Sequence, residues 1–199
     1  MVNNRPACLF QYRGMINMNV YDGRPAVETG RLEREIRTYD LLDKLGISYQ
    51  RTDHEPADHM EACYRIDSVL NVEICKNLFL CNRQKTAFYL LMMPGRKAFR
   101  TKELSAQIHS SRLSFAEPEY LLRYLDTEPG AVSVMGLMND RGNDVRLLID
   151  EDVLKDEFIG CHPCVSTSSL KLKTKDLTER FLPATGHPFQ TVQLKGKEE

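Results

Sequence analysis

The sequence predicts an α+β fold, with a mixed and mostly antiparallel curved sheet surrounded by short helices. The clearest signal is a pair of apolar runs, residues 74–81 and 86–93, separated by the polar turn Asn82-Arg83-Gln84-Lys85. Two such runs a few residues apart are typical of a β-hairpin. Their leucine, methionine and phenylalanine content indicates that both faces of the sheet are covered. The other segments mix short helical and short strand patterns without internal repeats, which favours α+β.

The first helix is predicted by apolar residues at helical spacing, which are Leu32, Ile36, Tyr39, Leu42 and Leu45. Thr29 is its predicted N-cap, and Gly46 is the residue at which it ends. The alternation in residues 47–51 then predicts a short strand. This segment therefore leads the chain into the sheet.

Further helices and strands follow from turn and cap signals. Helices are predicted at residues 58–70, 101–108, 117–125 and 174–182. Asp58 and Glu61 have the spacing of a capping box, which predicts where the first of these begins. Strands are predicted at residues 131–136, 145–149, 169–173 and 189–194. The first of these strands lies between two glycines, Gly130 and Gly136.

Length and composition indicate one domain with an appendage. A chain of 199 residues, 42% hydrophobic and 28% charged, suits a single globular domain. We expect residues 1–30 to form an N-terminal extension or tail, 31–195 a single domain, and 196–199 a short tail. No apolar run has the length of a membrane span and the first residues lack a signal-peptide pattern, so we expect a cytoplasmic protein without a membrane partner.

The cysteines leave two interpretations open. Cys161 and Cys164 have the C-x-x-C spacing of zinc and thiol-redox sites. A zinc site would need a second ligand pair, and Cys75 and Cys81 do not have the usual spacing. We therefore expect buried free thiols, with no metal and no cofactor. A zinc or redox role for Cys161 and Cys164 is the alternative.

Three segments carry residues that could perform chemistry. Lys76 and Asn77 stand together in an apolar strand and point to opposite faces, where a lysine needs either water or an anion. The segment 130–136 could bring backbone N–H groups to a ligand, with Ser133 adding a hydroxyl, or could be a tight turn. His162 could contact a ligand or pack in the interior. No P-loop, dinucleotide, zinc-protease or serine-hydrolase motif is present.

Taken in order, these segments resemble a known family. The runs are Lys76-Asn77-Leu78-Phe79-Leu80, Pro129-Gly130-Ala131-Val132-Ser133, Gly136-Leu137-Met138-Asn139-Asp140 and His162-Pro163. They are similar to motifs of the YbaK/proline-tRNA synthetase editing-domain superfamily, and most to its free-standing branch that hydrolyses alanyl-tRNA(Pro). The resemblance covers about residues 31–194. It implies that family's fold and an aminoacyl-tRNA deacylase, a hydrolase of ester bonds that acts in trans without a metal.

The resemblance also implies roles for single residues. Lys76 would be the catalytic lysine, a buried charge that either meets the phosphate near the 3′ end of the tRNA or orients the end that bears the ester. The substrate-binding residues would be Asn77, Gly130, Ala131, Val132, Ser133, Gly136 and His162. The loop backbone would hold the aminoacyl group and stabilise the oxyanion through its N–H groups, and His162 would contact the terminal adenosine. The specificity pocket would be formed by Val134, Met135, Cys161 and Ser166, three of which depart from the family pattern.

The implied partners are the 3′ acceptor end of a mischarged tRNA and proline-tRNA synthetase. Because the formal net charge is only −1, tRNA would need a local basic patch. The predicted patch is Arg96, Lys97, Arg100 and Lys102, for which a solvated loop is the alternative. The favoured substrate is Ala-tRNA(Pro). Cys-tRNA(Pro), another mischarged tRNA such as Ser-tRNA, and a non-catalytic module that binds tRNA or an amino acid are the alternatives.

Overall fold

The computed structural model describes residues 18–56 and 60–196, without the side chains of residues 60–62. One of its two sheets is four-stranded and antiparallel throughout, in the order β1-β2-β8-β7. Its strands are β1 (Tyr21–Asp22), β2 (Tyr49–Asp53), β7 (Phe158–Cys161) and β8 (Ser168–Lys173). Strand β1 comes from the segment predicted as an extension, and residues 1–17 and 197–199 lie outside the described residues.

The other sheet is five-stranded and mixed, in the order β5-β3-β4-β6-β9. Its strands are β3 (Lys76–Asn82), β4 (Phe88–Met93), β5 (Leu113–Phe115), β6 (Val145–Asp150) and β9 (Phe189–Val192). Strands β3 and β4 form the predicted hairpin, whereas β4–β6 and β6–β9 pair in parallel. The α+β class with mostly antiparallel pairing is confirmed, although the strands form two sheets rather than one.

Short helices surround the sheets. They are α1 (Glu33–Lys44), α2 (Met60–Leu70), α3 (Thr101–Gln107), α4 (Pro118–Leu125), α5 (Glu151–Lys155), α6 (Thr174–Asp176) and α7 (Leu182–Thr185), with a π turn at Leu177–Phe181. Gly46 follows α1 with φ +62°, as predicted. The prediction of Thr29 as N-cap is wrong, because Leu32 occupies that position. Asp58 and the side chain of Glu61 lie outside the described residues. No helix in the described part of the chain is long and apolar enough to span a membrane.

The prediction of a strand at 131–136 is wrong, because a 3₁₀-helix runs from Val134 to Asn139 instead. The reason is a contact that is distant in sequence. A Cβ added at Gly136 would lie 2.9 Å from both the Cβ and the carbonyl oxygen of Leu125, at the end of α4. Asn139 donates to that same oxygen at 3.0 Å. Packing against α4 therefore fixes this segment in place of strand pairing.

The two sheets meet at Gly160. Its carbonyl oxygen accepts a hydrogen bond from the Cys75 N–H at 2.9 Å, and Gly160 forms an isolated parallel β-bridge with Ile74. A Cβ at Gly160 would lie 2.9 Å from the Ile74 Cα and from the Glu73 oxygen, so only glycine allows this approach. The end of β7 and the start of β3 are thereby joined, which puts the residues that follow β7 beside those that lead into β3.

Candidate active site

A small pocket lies among α2, the loop after α4 and the turn after β7. Its volume is about 140 Å³, and it is lined by Cys63, Ile66, Ile74, Pro129, Gly130, His162 and Ser166. We call it the histidine pocket. The structure thus brings together three of the residues that the sequence predicted for substrate binding or specificity, Gly130, His162 and Ser166. A larger open groove beside β2 and β8 contains none of the predicted residues.

Gly130 leaves one side of the pocket open. Its φ of +87° is one that side chains rarely adopt, and a Cβ there would meet nothing within 4 Å. The next N–H, of Ala131, donates to the Glu128 carbonyl at 3.0 Å and is already engaged. The N–H groups of Gly130 and Val132 donate to no acceptor among the described residues. The Ser133 N–H likewise has no acceptor there, and of these three residues Gly130 lines the pocket.

His162 is held by a chain of hydrogen bonds that includes a second histidine. Its Nδ1 lies 3.0 Å from the Ser168 carbonyl oxygen and 3.3 Å from Ser169 Oγ. Ser169 Oγ is 2.9 Å from His54 Nε2, and His54 Nδ1 is 2.8 Å from the Glu55 carbonyl oxygen. The centroids of the His54 and His162 rings are 6.3 Å apart. Strands β2 and β7 both pair with β8, which brings the two histidines to Ser168 and Ser169.

The partners of this chain determine its proton positions. A carbonyl oxygen only accepts, so His54 Nδ1 and His162 Nδ1 must each carry a proton. His54 Nε2 is then an acceptor, and the Ser169 hydroxyl donates a hydrogen bond to it. On His162, Nε2 is left as an unprotonated nitrogen without a hydrogen-bond partner among the described residues. His162 therefore offers the pocket an acceptor and not a donor.

Burial keeps both rings neutral. It lowers the pKa of His162 below the ordinary 6.5, and the nearby His54 lowers that pKa further, outweighing the Ser168 hydrogen bond. Burial also lowers the pKa of His54, against the hydrogen bond to Glu55 and the charge of Asp53. Neutral rings are the state that the hydrogen-bond chain requires. The acceptor on His162 is thus present at pH 7.

Ser133 supports the pocket without lining it. The side chain is fully buried, its hydroxyl donates to the His162 carbonyl oxygen, and its Oγ accepts the Met135 N–H at 3.2 Å. The predicted substrate-binding hydroxyl is therefore engaged with protein groups on both sides. Its position fixes the backbone of His162 relative to the 3₁₀-helix.

Asn77 carries an unpaired buried acceptor. Its Nδ2 donates to the Cys75 carbonyl at 3.2 Å, which orients the amide, and its buried Oδ1 has no partner in the described chain. Leaving a buried acceptor unpaired is unfavourable unless a ligand supplies a donor. Asn77 shares the face of β3 that carries Phe79, and Phe79 belongs to the core that contains Val134, Met135 and Cys161.

The other predicted loop and specificity residues lie in the core. Val134, Met135 and Cys161 have no exposed surface, and Gly136 packs on Leu125. Val132 packs against the same core from a half-buried position. Of the four predicted specificity residues only Ser166 lines the histidine pocket. The other three belong to the hydrophobic core.

Lys76 faces a different part of the surface. The expectation that it is a buried charge is wrong, because its side chain is exposed and its Nζ donates to the Lys97 carbonyl at 3.0 Å. It lines an open groove with Leu78, Phe99, Arg100, Thr101, Lys102 and Phe115. We call this the lysine groove. Lys76 lies only two residues after Ile74, which is about 7 Å along an extended chain. The groove therefore begins close to the histidine pocket.

The predicted basic patch is divided. Lys97 is 13% exposed, and its Nζ lies 2.9 Å from both Asp150 carboxylate oxygens and 2.7 Å from Asp152, so it is neutralised inside the protein. Arg96 lies over the Tyr64 ring at 5.0 Å. Arg100 and Lys102 line the lysine groove. Of the lysines in this patch, Lys102 is therefore the one that lies in the groove beside Lys76.

The cysteines do not support the zinc or redox alternative. Cys161 and Cys164 are free and fully buried. Burial raises the pKa of Cys164 to about 12 and that of Cys161 well above the ordinary value, whereas metal binding and thiol exchange need the thiolate. Within residues 18–56 and 60–196, no group of three or more His, Cys, Asp or Glu side chains could hold a metal ion.

Sequence reasoning missed several residues of the site. His54 and Ser169 complete the hydrogen-bond chain, and α2 supplies Cys63 and Ile66 to the pocket wall. The one signal for His54 is its place directly after a strand, as with His162. That signal becomes useful only when the pairing of Thr52 with Ser169 is known.

Comparison with known proteins identifies the family. The model of the aminoacyl-tRNA editing domain matches residues 54–179. The chain is 32% identical over 154 residues to the prolyl-tRNA editing protein ProX of Acetoanaerobium sticklandii, covering 77% of this chain and 93% of that protein. It is 28% identical over 116 residues to the prolyl-tRNA synthetase associated domain-containing protein 1 of Bos taurus, covering 56% of this chain and 67% of that one.

A solved structure described as a candidate trans-editing enzyme for prolyl tRNA synthetase has the same fold. It superposes with a TM-score of 0.62 at 16% identity and covers 82% of this chain and 98% of its own. The family match spans more than half of the chain and includes both histidines and Lys76. The chain therefore belongs to the aminoacyl-tRNA editing domain family, a group of hydrolases that act on the ester bond of aminoacyl-tRNA.

Proposed function

We propose that this protein edits mischarged tRNA(Pro) in trans, hydrolysing the ester of a small amino acid and most specifically that of Ala-tRNA(Pro). The observation that carries the proposal is the histidine pocket, which combines a small volume with a neutral histidine acceptor. The relatives support the tRNA(Pro) class, since one is a prolyl-tRNA editing protein and the other carries a prolyl-tRNA synthetase associated domain.

The pocket size supports a small amino acid. A dry cavity of about 150 Å³ holds one benzene molecule, and the volume here is about 140 Å³. Ile66, Ile74 and Pro129 make much of its wall apolar. An alanyl group fits such a space, and a group with added methylenes comes into contact with its walls. Since one methylene changes discrimination by only about 1–3 kcal/mol, rejection of a larger group depends on steric contact with these walls.

The polar groups support recognition of an aminoacyl ester. Such an ester presents an ammonium group, which donates hydrogen bonds, and a carbonyl oxygen, which becomes negative during hydrolysis. His162 Nε2 and Asn77 Oδ1 are the unpaired acceptors near the start of β3 and the end of β7. The N–H groups of Gly130 and Val132 are available donors. In this proposal the His162 acceptor orients the ammonium and the donors stabilise the developing oxyanion.

The reaction needs no covalent intermediate with the protein. The oxygen of a water molecule adds to the ester carbonyl carbon, and the bond from that carbon to the ribose oxygen breaks. One water proton ends on the ribose oxygen, and the amino acid leaves as a carboxylate with release of the other. The buried thiols, whose pKa is raised, are poor nucleophiles. By the family resemblance, the ribose 2′-hydroxyl assists the water.

Lys76 is proposed to bind the phosphate next to the ester. Its exposed ammonium lies at the start of β3, close to Ile74 of the pocket wall. A cation there meets the first phosphate of the tRNA 3′ end when the amino acid occupies the pocket. Proline-tRNA synthetase is the proposed partner for tRNA delivery.

A panel of charged tRNAs tests this function. We expect hydrolysis of Ala-tRNA(Pro) to be at least about 10-fold faster than that of Pro-tRNA(Pro). The panel also contains Cys-tRNA(Pro) and Ser-tRNA, which are the alternative substrates. Lys76→Ala should lower kcat/KM by about 100-fold, whereas Lys173→Ala, an exposed strand lysine remote from the pocket, should not. Binding without hydrolysis would indicate a non-catalytic module, and faster hydrolysis of Cys-tRNA(Pro) would correct the substrate.

A further inference from the structure

The lysine groove has the composition of a site for single-stranded nucleic acid. Its lining residues include two lysines, Lys76 and Lys102, and two aromatic rings, Phe99 and Phe115, but no carboxylate. Protein surfaces usually mix both charges, and this chain has a formal net charge of −1. A groove that combines cations with aromatic rings is typical of proteins that bind single strands, which use stacking and phosphate contacts.

Phe115 is the most exposed aromatic side chain in the described part of the protein. It is 61% exposed, compared with 44% for Tyr21 and 43% for Tyr64. It lies opposite Leu80 in the β3–β5 pair, and the ring of Phe99 approaches its edge at 6.3 Å and 68°. This contact supports the ring at its edge and leaves Phe115 open to solvent. The groove therefore presents one aromatic face to solvent beside its lysines.

The position of the groove relative to the histidine pocket indicates the path that a bound chain would take from the pocket. Lys76, Leu78 and Leu80 share one face of β3, and Phe115 lies across from Leu80. Four residues of strand separate Lys76 from Leu80, which is about 13 Å. The path from the pocket therefore passes Ile74, then Lys76, then Phe115. A chain attached to an ester in the pocket would follow this path.

We propose that the lysine groove binds the unpaired 3′ nucleotides of the tRNA, with one base stacked on Phe115 and with phosphates beside Lys76 and Lys102. The inference rests on the proposed function, because the ester in the histidine pocket sets the occupant. Stacking on a single ring tolerates any base, so the groove holds the strand without reading its sequence. This recognition suits a protein that receives the end common to all tRNAs.

Fluorescence anisotropy with a labelled ACCA tetranucleotide tests the groove separately from catalysis. Phe115→Ala should weaken binding by about 5- to 100-fold, and Phe115→Trp should retain wild-type affinity because it keeps a stacking surface. Leu122→Ala is the matched control, since Leu122 is 56% exposed on α4 and does not line the groove. KM for Ala-tRNA(Pro) should increase in Phe115→Ala and stay close to the wild-type value in Phe115→Trp and Leu122→Ala. The value of kcat should change little in all three variants.

The outcomes separate the two proposals. Equal ACCA affinity of wild type and Phe115→Ala overturns the groove, as does binding too weak to detect in the wild type. If Phe115→Ala instead loses binding to purified proline-tRNA synthetase while its RNA affinity is unchanged, the surface binds protein and the inference is wrong. If ACCA binding depends on Phe115 but no charged tRNA is hydrolysed, the groove stands and the deacylase proposal fails.

Discussion

The histidine pocket and the lysine groove begin two residues apart, at Ile74 and Lys76, yet they differ in almost every physical property. The pocket is small and partly apolar, and its histidine is neutral and fixed by hydrogen bonds. The groove is open, cationic and aromatic. Size and acceptor geometry suit recognition of a small amino acid, whereas exposed charge and stacking suit a polyanion that must enter and leave.

The difference shows how one site can be selective for the amino acid and tolerant of the RNA. Because the buried side chains around the pocket are closely packed and cannot move aside, a single added methylene on the amino acid changes its binding. In the groove, water screens the charges, so each contact beyond Lys76 contributes little and the sum depends on salt. Perturbations of the junction, of the pocket and of the groove should therefore have different signatures and decreasing sizes.

The largest effect is expected at the junction, from Gly160→Ala. A Cβ there would lie 2.9 Å from the Ile74 Cα and the Glu73 oxygen, which are backbone atoms that cannot rotate away. We expect a loss of about 1–3 kcal/mol in the free energy of unfolding, measured by urea denaturation, and loss of hydrolysis because Ile74 is displaced. Gly142→Ala is the control, since its Cβ would meet only the Asp144 side chain. An unchanged urea midpoint for Gly160→Ala would show that the sheets can separate without cost.

The sequence predicted the parts of the fold that local pattern determines. The β3–β4 hairpin follows from two apolar runs and the turn between them, and the end of α1 follows from Gly46. The 3₁₀-helix at Val134–Asn139 could not be predicted, because it depends on how closely Gly136 approaches Leu125. Glycines at both ends of a segment fit either structure. Only the contact with α4 distinguishes them.

For the candidate site, the sequence singled out some of the residues that line the pocket but not their arrangement. The resemblance singled out Gly130, His162 and Ser166, which line one pocket. Alternation along β3 separates the faces of Lys76 and Asn77 but does not tell which face is covered, so the exposure of Lys76 was missed. His54 joins His162 only through β8, which is over a hundred residues away from His54 in the chain. Strand order, which periodicity does not encode, made that connection.

An intermediate effect is expected from pH, and it should be confined to the pocket. The pKa of His162 is lowered from 6.5 by burial and by His54, so the ring stays neutral until the pH falls through that lower value. Protonation of Nε2 then replaces the acceptor with a donor, and kcat/KM should decrease about tenfold per pH unit below the pKa. His54→Ala should move this acid limb to higher pH, because it removes one cause of the lowering.

Stability changes in the same direction and must be measured alongside. Because the folded-state pKa values of His54 and His162 lie below 6.5, the unfolded chain binds protons first. The free energy of unfolding therefore decreases as the pH falls below about 6.5. Circular dichroism at each pH separates this loss from the kinetic one. A kcat/KM that is flat down to pH 5 in folded protein would rule out the acceptor role of His162, and ACCA binding serves as the pH-insensitive comparison.

The smallest effect is expected from the groove charges beyond Lys76, because Lys76 alone is proposed to lie beside the ester. Log kcat/KM should fall linearly with log salt concentration, since binding of phosphates releases counterions. Lys102→Gln should reduce the slope by about 0.7, the value for one contact to a single strand, while Lys173→Gln should leave it unchanged. Ser166→Ala changes the pocket alone, so it should alter the choice of amino acid and keep the wild-type slope. A slope change in Ser166→Ala, or none in Lys102→Gln, would mean that pocket and groove do not divide recognition in this way, and that the phosphates cross the surface elsewhere.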